Sequence, residues 1–480
     1  MKFKNFVLKN KNLVTGLIAA TLLAIMFMLS IFSGIKDSGI VDEIAHIPSG
    51  YSYVKYGDFR LNPEHPPLAK ALAGVPLLFL DINDIRTDES WEGIGQWEAG
   101  WNMLYENGNN PNQIFFWSRF SMIILMLILG VVLFFWAKEW FGRKIALLVL
   151  AMYCFYPDFI GHGHYVTTDV AASLGYVITI YSFDKFIKKQ NLKYLLLASL
   201  FFAIAQLLKF SSFLLFGVLL FLIIYRAYQD KTEQTPYLKT FWKYFKFYFF
   251  ISVISLLIVW AVYIPFVHNM TPELERRVID MNLTADPDMD TLRHFFYFLA
   301  NNDITRGLGH YLLGVALVFK RVVGGNATFI MGQLSDKSIP WYFPVAWLIK
   351  TPLPVIVLFL WSLVNLIVFR PKSKTASFRN WLLLTPVVVY WAVTLKGSLN
   401  IGIRHLMPTV PFVLLFIGLQ MHRYISGMKA LTYQGVIIAG LILAMAISTI
   451  SYFPQYLSYF NILVPRDARY KYMTDYSLDW

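Results

Sequence analysis

Apolar runs long enough to cross a bilayer, separated by short polar stretches, dominate this chain. They lie at 13–32, 114–137, 145–161, 165–187, 193–208, 210–226, 245–267, 345–368, 380–396, 404–420 and 430–450. Backbone inside lipid finds no water to pair with, so each run has to satisfy its own hydrogen bonds as a helix. The pattern predicts an all-α polytopic membrane protein with about eleven transmembrane helices. Several runs are shorter than twenty residues, so 145–187 and 193–226 can be divided in other ways.

Charge sorts the connections into two sets. The loops at 138–144, 185–193, 226–246, 370–379 and 422–429 carry excess Lys and Arg and fall on one side if the helices alternate. With Lys2, Lys4, Lys9 and Lys11 ahead of the first run, they place the N-terminus in the cytoplasm. The first run is too long for a signal peptide's apolar core and lacks a convincing cleavage pattern, so it reads as a retained helix. Two long loops, 35–113 and 268–340, then lie outside, the first with twelve Asp or Glu against five Lys or Arg. Each contains an apolar stretch, at 66–80 and 294–319, that reads as a helix lying along the interface. Repeats and low-complexity segments are absent. The expected organisation is a single transmembrane domain over 1–480, with these extracytoplasmic loops and a short extracytoplasmic tail at 451–480.

Composition closes off other classes. With 57% hydrophobic and 17% aromatic residues, 480 residues cannot form a soluble domain around one core. The net charge of +13 resides mostly in the short loops, so it reads as topology and not as a nucleic-acid surface. Cys154 is the only cysteine, which removes intrachain disulfides and Cys-based metal sites.

Against this background one stretch is unusually polar. Val41–Lys70 holds Asp42, Glu43, His46, Asp58, Glu64, His65 and Lys70 directly after the first run. Adjacent carboxylates supply a general base when burial or a like charge raises one pKa, and they also serve as a solvated loop that stops a helix from sliding. Asp158 and Asp169 flank the third and fourth runs, with His162 and His164 between them. Ionisable groups at such depth face a cavity or a partner. The His-x-His spacing leaves a divalent metal open without requiring one, and Asp169 also fits a helix cap. Lys209, Lys396, Arg404 and His405 bring positive charge to the outer face, against the positive-inside trend, where Arg suits a phosphate. Trp91, Trp97 and Trp101 suit sugar stacking or interfacial anchoring. Asn282-Leu-Thr and Asn326-Ala-Thr are glycosylation sequons on the outer side, a pattern frequent by chance.

The carboxylate pair after the first run, the H-P-P-L segment some twenty residues later, T-T-D opening the fourth run, YFPVAWLIKTPLPV (342–355) and NIGIRHLMP (400–408) together resemble the GT-C superfamily of integral-membrane glycosyltransferases. Within it the chain is most similar to the phospholipid-carrier-dependent group of protein O-mannosyltransferases and lipid A aminoarabinose transferases. The ending SYFNILVPRDARYKYMTDYSLDW resembles that group's YFN and D-S-N-L-D-W-G-Q, with Tyr476-Ser477 in place of Ser-Asn, and members commonly continue beyond the position of Trp480. The resemblance implies an inverting transferase moving a hexosyl or pentosyl sugar from a polyprenyl-phosphate donor to a protein hydroxyl, lipid or surface glycan at the outer face of the plasma membrane. It implies Asp42 as base with Glu43 orienting the acceptor or tuning it. Lys70, Arg404, His65 and His405 become candidates for the donor phosphate, and Asp169, Asp158 and His164 for acceptor or sugar. No metal ligand or firm cofactor follows. His65 stands where relatives often carry Lys, which makes a pH-dependent contact an expectation.

A secondary transporter or lipid-linked-sugar flippase is the alternative, since midplane acids also mark transport paths. Two features oppose it: there is no internal repeat, and the charges cluster at one face. A catalytically dead scaffold would not need Asp42, Glu43, Asp169 and Arg404.

Overall fold

The computed structural model describes residues 10–283, 289–371, 373–427 and 433–473. Tyr476, Ser477 and Trp480, and part of the loop at 422–429, lie outside them. In chain order the helices are α1 (Lys11–Gly34), α2 (Val41–Tyr56), α3 (Pro67–Gly74), α4 (Pro111–Phe141), α5 (Arg143–Cys154), α6 (Pro157–Gly163), α7 (Asp169–Lys189), α8 (Leu192–Leu208) and α9 (Leu214–Asp230). They continue as α10 (Tyr237–Phe266), α11 (Pro272–Asn282), α12 (Asp290–Ala300), α13 (Asp303–Gly324), α14 (Tyr342–Lys350), α15 (Leu353–Val368), α16 (Lys374–Lys396), α17 (Val410–Gly427) and α18 (Tyr433–Ile450). The one sheet among the described residues is an antiparallel hairpin, β1 (Thr328–Ile330) with β2 (Gln333–Ser335).

Every run expected to span contains helix among the described residues. Among the described residues eight helices are long and apolar enough to cross a membrane: α1, α4, α7, α9 with its preceding turn, α10, α13, α16, and α17 with the turn before it. Two more candidates are bent pairs, α5–α6 by 58° and α14–α15 by 115°. Each bend sits on an X-Pro step, Tyr156-Pro157 and Thr351-Pro352, where the first residue is extended (ψ 111° and 134°) and proline offers no N–H to the preceding turn. α8 and the Gly435–Ile450 part of α18 are apolar but shorter. The departure from expectation is α13. Sequence placed an interfacial helix at 294–319, whereas the chain breaks at Asn301–Asn302 and α13 is itself long enough to span. Buried Arg306 and His310 lie on the same face of α13 as Leu313 and Leu317, which gives it a polar stripe amid apolar residues.

Four connections meet at one end of the bundle: those before α2 and α7, between α8 and α9, and between α16 and α17. Asp42, Asp169, Lys209 and Arg404 all line one cavity there. Alternation of the eleven runs expected from sequence, with 268–340 left outside, puts these turns on one side, and their meeting agrees with that expectation.

α2 is wedged into this end by close backbone approaches. A Cβ added at Gly50 would lie 2.0 Å from the Lys70 carbonyl oxygen, one at Gly74 2.5 Å from Gly50, and one at Gly100 1.8 Å from the Ile44 carbonyl oxygen. Asp42 and Glu43 occupy the first turn, where the helix dipole favours negative charge, and Gly57 ends the helix at φ 60°. Gly50→Val should therefore destabilise by at least the roughly 1–3 kcal/mol of ordinary overpacking, because backbone cannot give way. Thermal unfolding in detergent measures this, and an unchanged midpoint would contradict the packing.

Candidate active site

Asp42 and Glu43 are neighbours in sequence, and adjacent residues on a helix point in different directions. Asp42 faces the cavity with its side chain 22% exposed, while Glu43 is fully buried behind the wall. Glu43 accepts from Arg119 Nε at 2.9 Å and Nη2 at 2.6 Å, from Val166 N at 3.1 Å and from Ile40 N at 3.2 Å. Arg119 directs its remaining donors to the carbonyls of Gly34, Asp37 and Ser38, at 2.7–2.8 Å. The pair fastens the entry of α2 to α4 and to the strand of chain before α7.

On the cavity side the charges form a chain. Arg404 donates from Nη1 to Asp42 Oδ2 at 2.5 Å, and the same atom lies 3.9 Å from Asp169 Oδ2. Lys209 Nζ reaches Asp169 Oδ1 at 2.5 Å. Burial alone would push the Asp42 carboxyl up, but the Arg404 guanidinium and nearby His46 outweigh it and hold the group below the usual aspartate value. Asp42 is thus ionised at neutral pH.

The cavity has a volume of about 730 Å³. His46, one turn after Asp42, stands at its wall with Nδ1 2.7 Å from the Val166 carbonyl and its ring edge-on to His65, centroids 5.0 Å apart. Burial, with His46 and Lys70 adjacent, drives the His65 imidazole well below its ordinary pKa, so it is neutral over the physiological range. Glu64, Gln96 and Trp97 complete this side. The lining also includes Lys320 and Arg321 at the end of α13, His405, and the apolar residues Phe210, Phe213, Leu317, Phe319 and Val393.

Of the residues singled out from sequence, Asp42, His65, Asp169, Arg404 and His405 come together around the cavity. Glu43, Lys70, Asp158 and His164 do not reach it. Lys70 is 1% exposed, and its ammonium donates to Tyr53 Oη, Asn62 O, Asn62 Oδ1 and His65 O at 2.7–3.0 Å. Burial holds its pKa well down, and it serves to pin the loop that presents Glu64 and His65. His164 turns to Asp37 Oδ2 at 3.0 Å, and Asp158 is buried in α6. Among the described residues no three His, Cys, Asp or Glu side chains are grouped to hold a metal ion. Sequence reasoning left out Lys320 and Arg321, and it named His46 only within the polar stretch and Lys209 only among the cations of the outer face. His46 was detectable by its four-residue spacing from Asp42. Lys320-Arg321 was detectable by the rule applied to Arg404, basic charge on the outer side.

Glu43→Ala should unfold the entry of α2, since breaking a buried ion pair costs about 3–5 kcal/mol. Asp42→Asn, on the cavity wall, should leave the unfolding midpoint within a few degrees of the parent. Equal losses in a thermal melt would contradict this division.

Residues 112–263 match the sequence model of a family described as dolichyl-phosphate-mannose-protein mannosyltransferase. No curated protein matches the chain by sequence. In structure the chain is similar to the S. cerevisiae protein O-mannosyltransferase Pmt1-Pmt2 complex bound to the sugar donor, with 11% identity and a TM-score of 0.62 over 92% of this chain and 90% of that one. It is also similar to ArnT from Cupriavidus metallidurans bound to undecaprenyl phosphate, with 13% identity and a TM-score of 0.53 over 95% and 72%. A third likeness is to the Archaeoglobus fulgidus oligosaccharyltransferase, with 12% identity and a TM-score of 0.51 over 95% and 56%. At such identities the likeness is one of fold: this chain is a multi-pass integral membrane protein with the GT-C fold.

Proposed function

We propose that the protein transfers a sugar from a polyprenyl-phosphate donor to a hydroxyl acceptor, at the membrane face onto which the cavity opens. The observation that carries this reading is the cavity itself, which combines the ionised Asp42 carboxylate, the four cations Lys209, Lys320, Arg321 and Arg404, and an apolar wall. In the reaction the acceptor oxygen attacks the anomeric carbon, and its proton passes to Asp42. The bond from that carbon to the phosphate oxygen breaks, the electron pair stays on the phosphate, and the anomeric centre inverts. Arg404, Lys209 and Arg321 stabilise the negative charge gained by the leaving group, most effectively where water is excluded. Asp169 holds Arg404 and Lys209 in place. The Phe- and Leu-rich wall receives the first prenyl units.

The family description, the sugar donor bound in one similar structure and the undecaprenyl phosphate bound in another support a lipid-linked substrate. Basic loops on the opposite side support an N-terminus in the cytoplasm and a cavity facing outward from the plasma membrane. The acceptor is a protein, lipid or glycan hydroxyl. Charges gathered around one cavity at one end of the bundle favour transfer over transport.

Purified protein in nanodiscs, given radiolabelled polyprenyl-phosphate sugars, should release polyprenyl phosphate, and Asp42→Asn should slow release by about 100-fold or more. An unchanged rate would remove Asp42 as base. Because the Asp42 pKa is lowered, the base remains ionised as pH falls and wild-type release should persist undiminished at pH 5. An acid limb between pH 5 and 6 would contradict the Arg404–Asp42 pairing.

A further inference from the structure

The turn that carries Arg404 has its own fastening. Between α16 and the helical turn at Ile403–Thr409 the chain runs through 397–402, where its backbone groups need partners from elsewhere. Gly402 takes φ 87°, in the left-handed region. The start of the β1–β2 hairpin supplies several of the partners. Asn326 Oδ1 accepts from Asn400 N at 3.1 Å, and Asn326 Nδ2 donates to Asn400 O at 3.2 Å. Thr328 Oγ1 donates to the same carbonyl at 2.7 Å. One step earlier, Ser398 N donates to Val322 O at 3.3 Å. On the other flank the Tyr342 hydroxyl accepts from Gly402 N at 3.0 Å. This hairpin leaves directly from the end of α13, where Lys320 and Arg321 line the cavity. The same bonds therefore stitch one cationic wall of the cavity to the other.

We propose that Asn326, Thr328 and Tyr342 are positioning residues that fix Arg404 relative to Asp42 and to Arg321, so that the two guanidinium groups hold a set separation for the donor phosphate. This rests on the function proposed above. It also gives Asn326-Ala327-Thr328 a use other than glycosylation. The Asn326 amide nitrogen, where a glycan would attach, is bonded to Ala327 O at 2.8 Å and to Asn400 O, and Thr328 is 5% exposed. A shift of about 1 Å in a charged group that meets the transition state is enough to slow the reaction by up to about 100-fold.

The test uses full-length protein in nanodiscs and the variants Asn326→Ala, Thr328→Val and Thr328→Ser. Two quantities are measured: labelling of Arg404 by phenylglyoxal, read by peptide mass spectrometry, and kcat and KM for a polyprenyl-phosphate sugar. Asn326→Ala and Thr328→Val should raise Arg404 labelling several-fold and lower kcat about tenfold or more, with a smaller change in donor KM. Thr328→Ser, which keeps the hydroxyl, should match wild type in both. Unchanged labelling in Asn326→Ala and Thr328→Val overturns the clamp, as does raised labelling with wild-type kcat. A lowered unfolding midpoint with wild-type labelling and kcat per folded molecule also overturns it, leaving only a structural role. If wild type turns over no donor, labelling alone decides the clamp, and the failure falls on the proposed function.

Discussion

A guanidinium taken out of water has to place its donors on oxygens, and Arg404 donates to Asp42 and to the Ile401 carbonyl, with the carboxylate of Asp169, from a different helix, 3.9 Å away. Asp42 comes from the entry of α2 and Asp169 from the entry of α7, and neither could sit so deep without a cation beside it. Lys209 closes the row from the turn between α8 and α9. The four groups balance one another in charge. They also depend on one another for position, since moving any of these chain segments would leave a partly buried charge uncompensated.

Two adjacent acids divide the work because a helix turns. Glu43 is committed to Arg119, whose donors also collect the carbonyls of 34–38, so the loop ahead of α2 is held from below. That leaves Asp42 facing open space. Lys70 works similarly at the far end of α2, where four oxygens around its ammonium shape the loop bearing Glu64 and His65. Buried charge in this protein mostly builds the frame, and a smaller set of groups meets the cavity.

Much of this was legible in the chain. Each of the eleven runs contains helix among the described residues, and the basic loops gave a sidedness with which the meeting of Asp42, Asp169, Lys209 and Arg404 agrees. Sequence did not reveal which polar residues face the cavity, because facing depends on packing. Lys70, His164 and Asp158 have the composition of site residues, yet oxygens of the fold take up Lys70 and His164. The run at 345–368 was expected to be one span, and its first part is instead a separate helix meeting the next at 115°. Thr351-Pro352 announced that break. Its compensation lay far away in the chain: Asn461 of the YFN segment donates from Nδ2 to Leu348 O and Thr351 O, and its backbone N–H donates to Ile349 O. A break that frees backbone carbonyls near lipid is tolerated when another segment satisfies them, which assigns that motif a physical role.

The central claim is that one cavity receives the donor's phosphate between cations while Asp42 faces the sugar. An experimental structure of the protein in nanodiscs with a bound polyprenyl-phosphate sugar tests it most directly. The account predicts phosphate density within hydrogen-bonding distance of Arg404 and Arg321, the prenyl chain along Phe210 and Phe319, and the anomeric carbon turned toward Asp42. Phosphate bound away from these cations, or at the opposite end of the bundle, would contradict it.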